Sequence, residues 1–229
     1  MSTHSFIVIA AAIAALALSG AIGAQTAASP KNPARAALSE LDRQADALFT
    51  AAEKRNWNGA KLALDAARAG VDTLRTSVFE GSYADTGGQL DALYIARHRL
   101  DADVAEADIA LGAQDGPGVM RHANRITMTV AEIGAPIEPP LAHQAMILAY
   151  LARELEYAHA ARRGDLYAQT VAEIRQIWSG LRPALAAREP APDLTRIDAA
   201  IARLGTGQRE DLEAAKLLGA AARSSRTSL

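Results

Sequence analysis

The stretch from Leu141 to Arg163, LAHQAMILAYLARELEYAHAARR, carries apolar residues on two opposite faces of a helix. One face holds Leu141, Ala145, Leu148, Ala152, Leu155 and His159, spaced three and four apart. The other holds His143, Met146, Tyr150, Glu154 and Tyr157 at the same spacing. A helix lying on a protein surface needs one apolar stripe. A helix with two must be covered on both sides, so the chain has to supply neighbours all around this element.

The remaining sequence offers helices for that purpose. Stripes run through Leu38, Leu41, Ala45, Leu48 and Ala52, then through Leu64, Ala67, Val71, Leu74 and Val78. Others follow through Leu90, Leu93, Ala96, Leu100, Val104 and Leu111, and through Val119, Ala123, Ile126, Val130 and Ile133. Beyond the central stretch come Val171, Ile174, Trp178 and Leu181, then Leu194, Ile197, Ile201 and Leu204, then Leu212, Ala215 and Leu218. Alanine, the strongest helix former, is abundant, and Val, Ile and Thr never alternate as strands require. Polar and glycine-bearing turns fall near Asn58, Asp115, Asp165 and Gln208. The fold expected is all-α, with about eight helices in four αα-hairpins forming a helical bundle or a two-layer helical array. The turn spacing shrinks along the chain, which argues against a strict solenoid. Residues 79–88, FEGSYADTGG, read as a surface loop, since no strand precedes the glycines and no GK[ST] follows.

Residues 1–24 read as a secretory signal peptide. Phe6 to Leu18 is an uncharged apolar run, and Ile22-Gly23-Ala24 offers a small-residue cleavage site. An uncleaved membrane anchor is the competing reading, because Phe6 to Ala24 is just long enough to span a bilayer. Residues 25–32 form a flexible segment, 33–222 a helical domain with a possible sub-boundary at 183–192, and 223–229 a frayed tail. The address is therefore the periplasm or the exterior. The 229-residue chain contains no cysteine, which excludes disulfides, thiol nucleophiles and a lipid-modified cysteine. The net charge of −2, with acidic and basic residues interspersed, leaves no nucleic-acid footprint and no polybasic membrane patch.

Three stretches, HANRITMTVAEI, YLARELEYAHAARRGD and EIRQIWSGLRPAL, resemble a loose group of exported, all-helical bacterial proteins, some of them lipoproteins. The resemblance spans roughly Asp91 to Leu185 and implies a helical, exported protein. It transfers no activity and no catalytic residue. Without a cysteine, this chain departs from the lipoprotein kind.

No G-x-S-x-G, H-E-x-x-H, EF-hand loop or Walker motif is present, so the reading is non-catalytic, with an enzyme of unknown class kept as a lesser alternative. Two constellations remain. Met120, Asn124 and Thr127 share a face of the fourth helix, and Tyr150, Glu154 and Tyr157, with Arg153 beside them, lie on the second face of the central one. Where those faces meet, they make a semi-polar seam. It either holds a small ligand between helices or only fixes their register through hydrogen bonds. The second constellation is a copper site. Met120, Met128 and Met146 each lie within six residues of His122 or His143, and thioether with imidazole suits copper. The bland reading makes the methionines core filler and His122 a hydrogen-bonded core residue. The sequence thus points to an exported helical binding or scaffolding protein. Its partner would be an unknown small molecule or a periplasmic protein, with no nucleic acid, no membrane after cleavage and no cofactor unless copper.

Overall fold

In the computed structural model, residues 33–76, 90–136, 138–187, 194–205 and 209–227 are described. They form eight α-helices. These are α1 (Pro33–Glu53), α2 (Trp57–Leu74), α3 (Leu90–Gly112), α4 (Gly116–Gly134), α5 (Pro140–Ala160), α6 (Gly164–Ala186), α7 (Thr195–Arg203) and α8 (Arg209–Thr227). No strand occurs among the described residues. The signal-peptide and flexible-segment readings, the loop at 79–88 and residues 188–192 of the possible sub-boundary fall outside them. No helix among the described residues is long and apolar enough to cross a membrane.

Three hairpin turns share one design. Arg55, Gln114 and Arg162 each take a left-handed conformation, with φ of 52°, 52° and 56°. At each turn the next residue's N–H reaches back five residues, as in Asn56 N to Ala51 O at 2.8 Å, Asp115 N to Ala110 O at 2.9 Å and Arg163 N to Ala158 O at 2.8 Å. The left-handed residue itself donates three residues back, to Ala52, Leu111 and His159. This is the Schellman pair of bonds, which satisfies the last carbonyls of a helix. The following residue then caps the next helix. Asn56 Oδ1 accepts from Gly59 N and Asp115 Oδ1 from Gly118 N, each at 3.0 Å. The sequence places these turns at Asn58, Asp115 and Asp165, with Gly164 as the left-handed residue. The structure puts the first and third two or three residues earlier, because Arg55 and Arg162 adopt that conformation without being glycine.

The helices pair in a ladder. α1 packs on α2 and α4, and α3 packs on α2 and α4, closing a four-helix ring. α5 packs on α6 and α8, and α8 on α7; side chains of α6 reach α7, closing a second ring. The rings meet where α4 packs on α5 and where Lys216 of α8 pairs with Glu53 of α1 at 2.6 Å. In cross-section α2, α1, α8 and α7 form one layer and α3, α4, α5 and α6 the other. Each ring has its own apolar core. α5 belongs to both: Met146 and Tyr157 pack into the first core, whereas Leu148, Leu151, Ala152 and Leu155 pack into the second.

Several local expectations are corrected. His159 is exposed rather than on the core stripe, since α5 reaches solvent in its last turn. α6 continues through Pro183 to Ala186, held by the buried Leu181 and Leu185. The residues from Lys31 onward group as one compact unit. The tail is helical to Thr227, and Arg223 packs against Asp46 of α1.

Candidate functional site

The polar seam lies between the two apolar cores, and α4 and α5 run antiparallel across it. Asn124 is fully buried; its Nδ2 donates to Glu154 Oε2 at 2.7 Å and to the backbone oxygen of Tyr150 at 3.3 Å. Three residues on, Thr127 Oγ1 accepts from Arg153 Nη1 at 2.6 Å. Arg153, only 2% exposed, directs Nη2 at Asp46 of α1 and stacks over the Phe49 ring, 5.8 Å from its centroid. Asp46 also faces Arg223 of α8 at 3.5 Å. One guanidinium therefore ties α5 to α4 and α1, and a shared carboxylate extends the tie to α8.

Arg153 is the geometric centre of this arrangement. Its charge is desolvated, so its partners have to compensate. A carboxylate, a hydroxyl and an aromatic face do so, although Arg153 Nε finds no hydrogen bond and neither does Asn124 Oδ1. Beside Arg153 lies a cavity of about 10 Å³, lined by Asp42, Thr127, Met146, Ala149 and Arg223. That is room for about one water.

Carboxylates in and around the seam are raised. Burial pushes the Glu154 carboxyl up, against the hydrogen bond from Asn124. Burial, reinforced by Glu53, lifts Glu156 to about 7, with Lys216, Arg153 and Arg223 pulling the other way. Burial also raises the Tyr150 phenol, with Glu154 and Glu173 adding to the effect.

Of the six seam residues read from sequence, Asn124, Thr127, Arg153 and Glu154 are joined in two hydrogen-bonded sets. Tyr157 is buried in the first core. The Tyr150 ring is half-buried against the second core, and only its backbone oxygen joins the seam. Sequence reading missed Asp46, Glu53, Glu156, Lys216 and Arg223. They come from α1, α5 and α8, and no local spacing marks residues that meet only through long-range packing.

The copper candidates are dispersed. His122 is buried; its Nδ1 lies 3.0 Å from Asp103 Oδ1 and its Nε2 3.0 Å from Arg121 Nη2. Since arginine can only donate, the ring proton sits on Nδ1, aimed at Asp103. Both ring nitrogens are therefore occupied. Met120 and Met146 are buried in the first core, and Met128 is half-buried on α4. His143 sits in the first turn of α5 with Nδ1 buried and without a hydrogen bond. Desolvation holds its basicity down, with Glu138 opposing. From the antiparallel pairing of Asn124 with Glu154, His122 lies about 20 Å along the axes from His143, at ~1.5 Å per residue. Among the described residues no group of three or more His, Cys, Asp or Glu is placed to hold a metal ion.

Comparison with known protein families, with curated proteins and with solved structures finds no match to this chain.

Proposed function

We propose that this chain is an exported, non-catalytic helical scaffold that works by presenting surfaces, not by transforming a bound molecule. What carries this reading is the use made of Arg153. Its guanidinium is directed at Asp46 and Thr127 and lies over Phe49, and the adjoining cavity holds about one water. The seam thus fits the register-fixing role, since its polar groups are engaged with one another across the interface between the rings. Export is supported by the apolar run Phe6 to Leu18 and the small residues Ile22-Gly23-Ala24. Copper binding is the alternative, with His143 as its anchor, because its Nδ1 has no hydrogen bond and Met146 lies one turn on.

Native mass spectrometry of the protein recovered from the periplasm tests these readings together. The scaffold reading expects a chain beginning at Gln25 with no retained mass beyond the polypeptide. A retained organic molecule would overturn it in favour of a ligand pocket. A bound copper ion, lost in His143→Ala, would establish the alternative. Full-length protein held in the membrane fraction would overturn the exported address.

A further inference from the structure

α3 is apolar on both sides, and only one side is covered. Its inner face, through Ala96, Leu100, Val104, Ala107 and Leu111, is buried in the first core. The opposite face carries Ile95, His98, Ala102, Ala105, Ile109 and Gly112, and all six are exposed. Their spacing is three, four, three, four, three. That is the heptad seam of a helix packed against another helix, not the wider stripe of a helix lying on a globular core. Ile109 is 67% exposed and Ile95 50%, among the few large apolar side chains so open to water in the described residues.

The pattern is complementary to itself when reversed. Two such helices laid antiparallel, centred between Ala102 and Ala105, put Ile95 opposite the second copy's Gly112. They put His98 opposite Ile109, and Ala102 opposite Ala105. Each end layer sets a large side chain against a minimal one and the middle is small against small, while the His98–Ile109 layers between them set two large side chains face to face. A Cβ at Gly112 would meet nothing within 4 Å in this chain, so nothing within the chain requires a glycine there. A facing Ile95 gives that position a reason.

Charge agrees on one flank and is tolerated on the other. Antiparallel pairing brings Arg99 of each copy, which also holds Glu132 of its own chain at 2.9 Å through Nη1, beside Glu106 of the other. On the opposite flank Asp101 meets Asp108, and each already has its own cation: Arg97 lies 3.9 Å from Asp101, and Arg68 3.1 Å from Asp108. A parallel pairing would instead stack Ile on Ile and Gly on Gly, leaving the ends overfilled and empty in turn.

We propose that the outward face of α3 is a homodimer interface, on which a second copy of this chain lays its own α3 antiparallel. This interface involves α3 alone and is independent of the seam between α4 and α5. The natural protein lacks cysteine, which permits a clean test of both partner and orientation. Sedimentation should give a dimer that Ala105→Glu dissociates, weakening association at least about tenfold by placing an unpaired carboxylate at the centre of the interface. Because Ala105 is exposed, helicity of that variant should be unchanged. Glu106→Arg should weaken the dimer, and adding Arg99→Glu should restore it. Under oxidation, an equal mixture of Ala102→Cys and Ala105→Cys should cross-link far more than either alone. A wild-type monomer at all accessible concentrations would overturn the proposal. So would a dimer indifferent to Ala105→Glu, or cross-linking that is strongest within each single variant.

Discussion

The ring of α1 to α4 and the ring of α5 to α8 follow the same order of packing, yet they are held differently. Among the described residues, the leucine and isoleucine side chains no more than 2% exposed in the first ring are Leu38, Leu41, Leu48, Leu64, Leu74, Leu100, Ile126 and Ile133. The second buries Leu148, Leu151, Leu155, Ile174, Leu181, Leu185, Leu204 and Leu218 to the same degree. Its α7 is nine residues long and can bury only a short stripe. Polar ties from α6 reach α7 and α8. Trp178 Nε1 donates to Asp198 Oδ1 at 2.9 Å, Arg182 pairs with the same carboxylate, Arg175 Nη2 donates to the Leu204 oxygen at 2.6 Å, and the Tyr167 hydroxyl donates to Asp211 at 2.8 Å. The caps differ too: Asn56 and Asp115 in the first ring hold helix starts with side-chain oxygens, whereas Arg163 and Leu194 in the second do not. With equal apolar burial on both sides, the rings therefore differ in how their helix starts are capped and in the polar anchoring of the short α7.

The largest effect is expected where the two rings join. Asp46→Ala leaves the buried Arg153 guanidinium without its carboxylate and should lower stability by about 3–5 kcal/mol in denaturant unfolding. Adding Arg153→Met should recover most of that loss, because an apolar side chain of similar length needs no counter-charge. A double variant as unstable as Asp46→Ala alone would mean that the seam contributes stability rather than register.

Next comes Glu156. Its folded carboxyl, at about 7, titrates above its ordinary value of 4.5, so the folded protein holds the proton more tightly than the unfolded chain. The group's favourable contribution is therefore present below about pH 4.5 and is lost as pH rises to about 7, after which it is constant. At ~1.4 kcal/mol per unit, this amounts to roughly 3 kcal/mol at most. Glu156→Gln should flatten stability between pH 5 and 7 and be the more stable protein at pH 8. An unchanged pH profile would show that Lys216 and Arg153 already compensate the ionised carboxylate.

The smallest effect isolates the second ring. Asp198→Ala leaves the Trp178 Nε1–H without its acceptor and should cost about 1–2 kcal/mol. Hydrogen exchange should quicken in α6 and α7 and stay unchanged in α1 to α4. Uniform quickening would mean that the two rings open as one.

The all-α plan was legible because each helix carries its own stripe, and because Asp115 and the Pro139-Pro140 pair punctuate the chain locally. The double stripe of α5 is visible for the same reason, since 3.6-residue periodicity is a local property. Asn124, Thr127, Arg153 and Glu154 could be placed on facing sides of successive helices, which a short connection makes antiparallel neighbours. Asp46 and Glu156 could not. Asp46 lies 107 residues from Arg153, and nothing near it in sequence says which helix will arrive opposite. Arg55 and Arg162 were equally hidden, because a left-handed turn residue that is not glycine or asparagine gives no compositional signal. The outward seam of α3 was present in the sequence but indistinguishable from ordinary surface until its inner face was seen to be covered.

The dual allegiance of α5 also has a consequence in time. A chain made from its N-terminus completes the first ring once α4 has emerged, and α5 can then dock Met146 and Tyr157 at once. Leu148, Leu151 and Leu155 must wait for α6 and α8. At synthesis rates of about 5–20 residues per second, that face stands uncovered for several seconds. Until α6 and α8 have both been made, the growing polypeptide carries a sticky apolar strip, and loss of α8 would leave an otherwise folded chain vulnerable to aggregation.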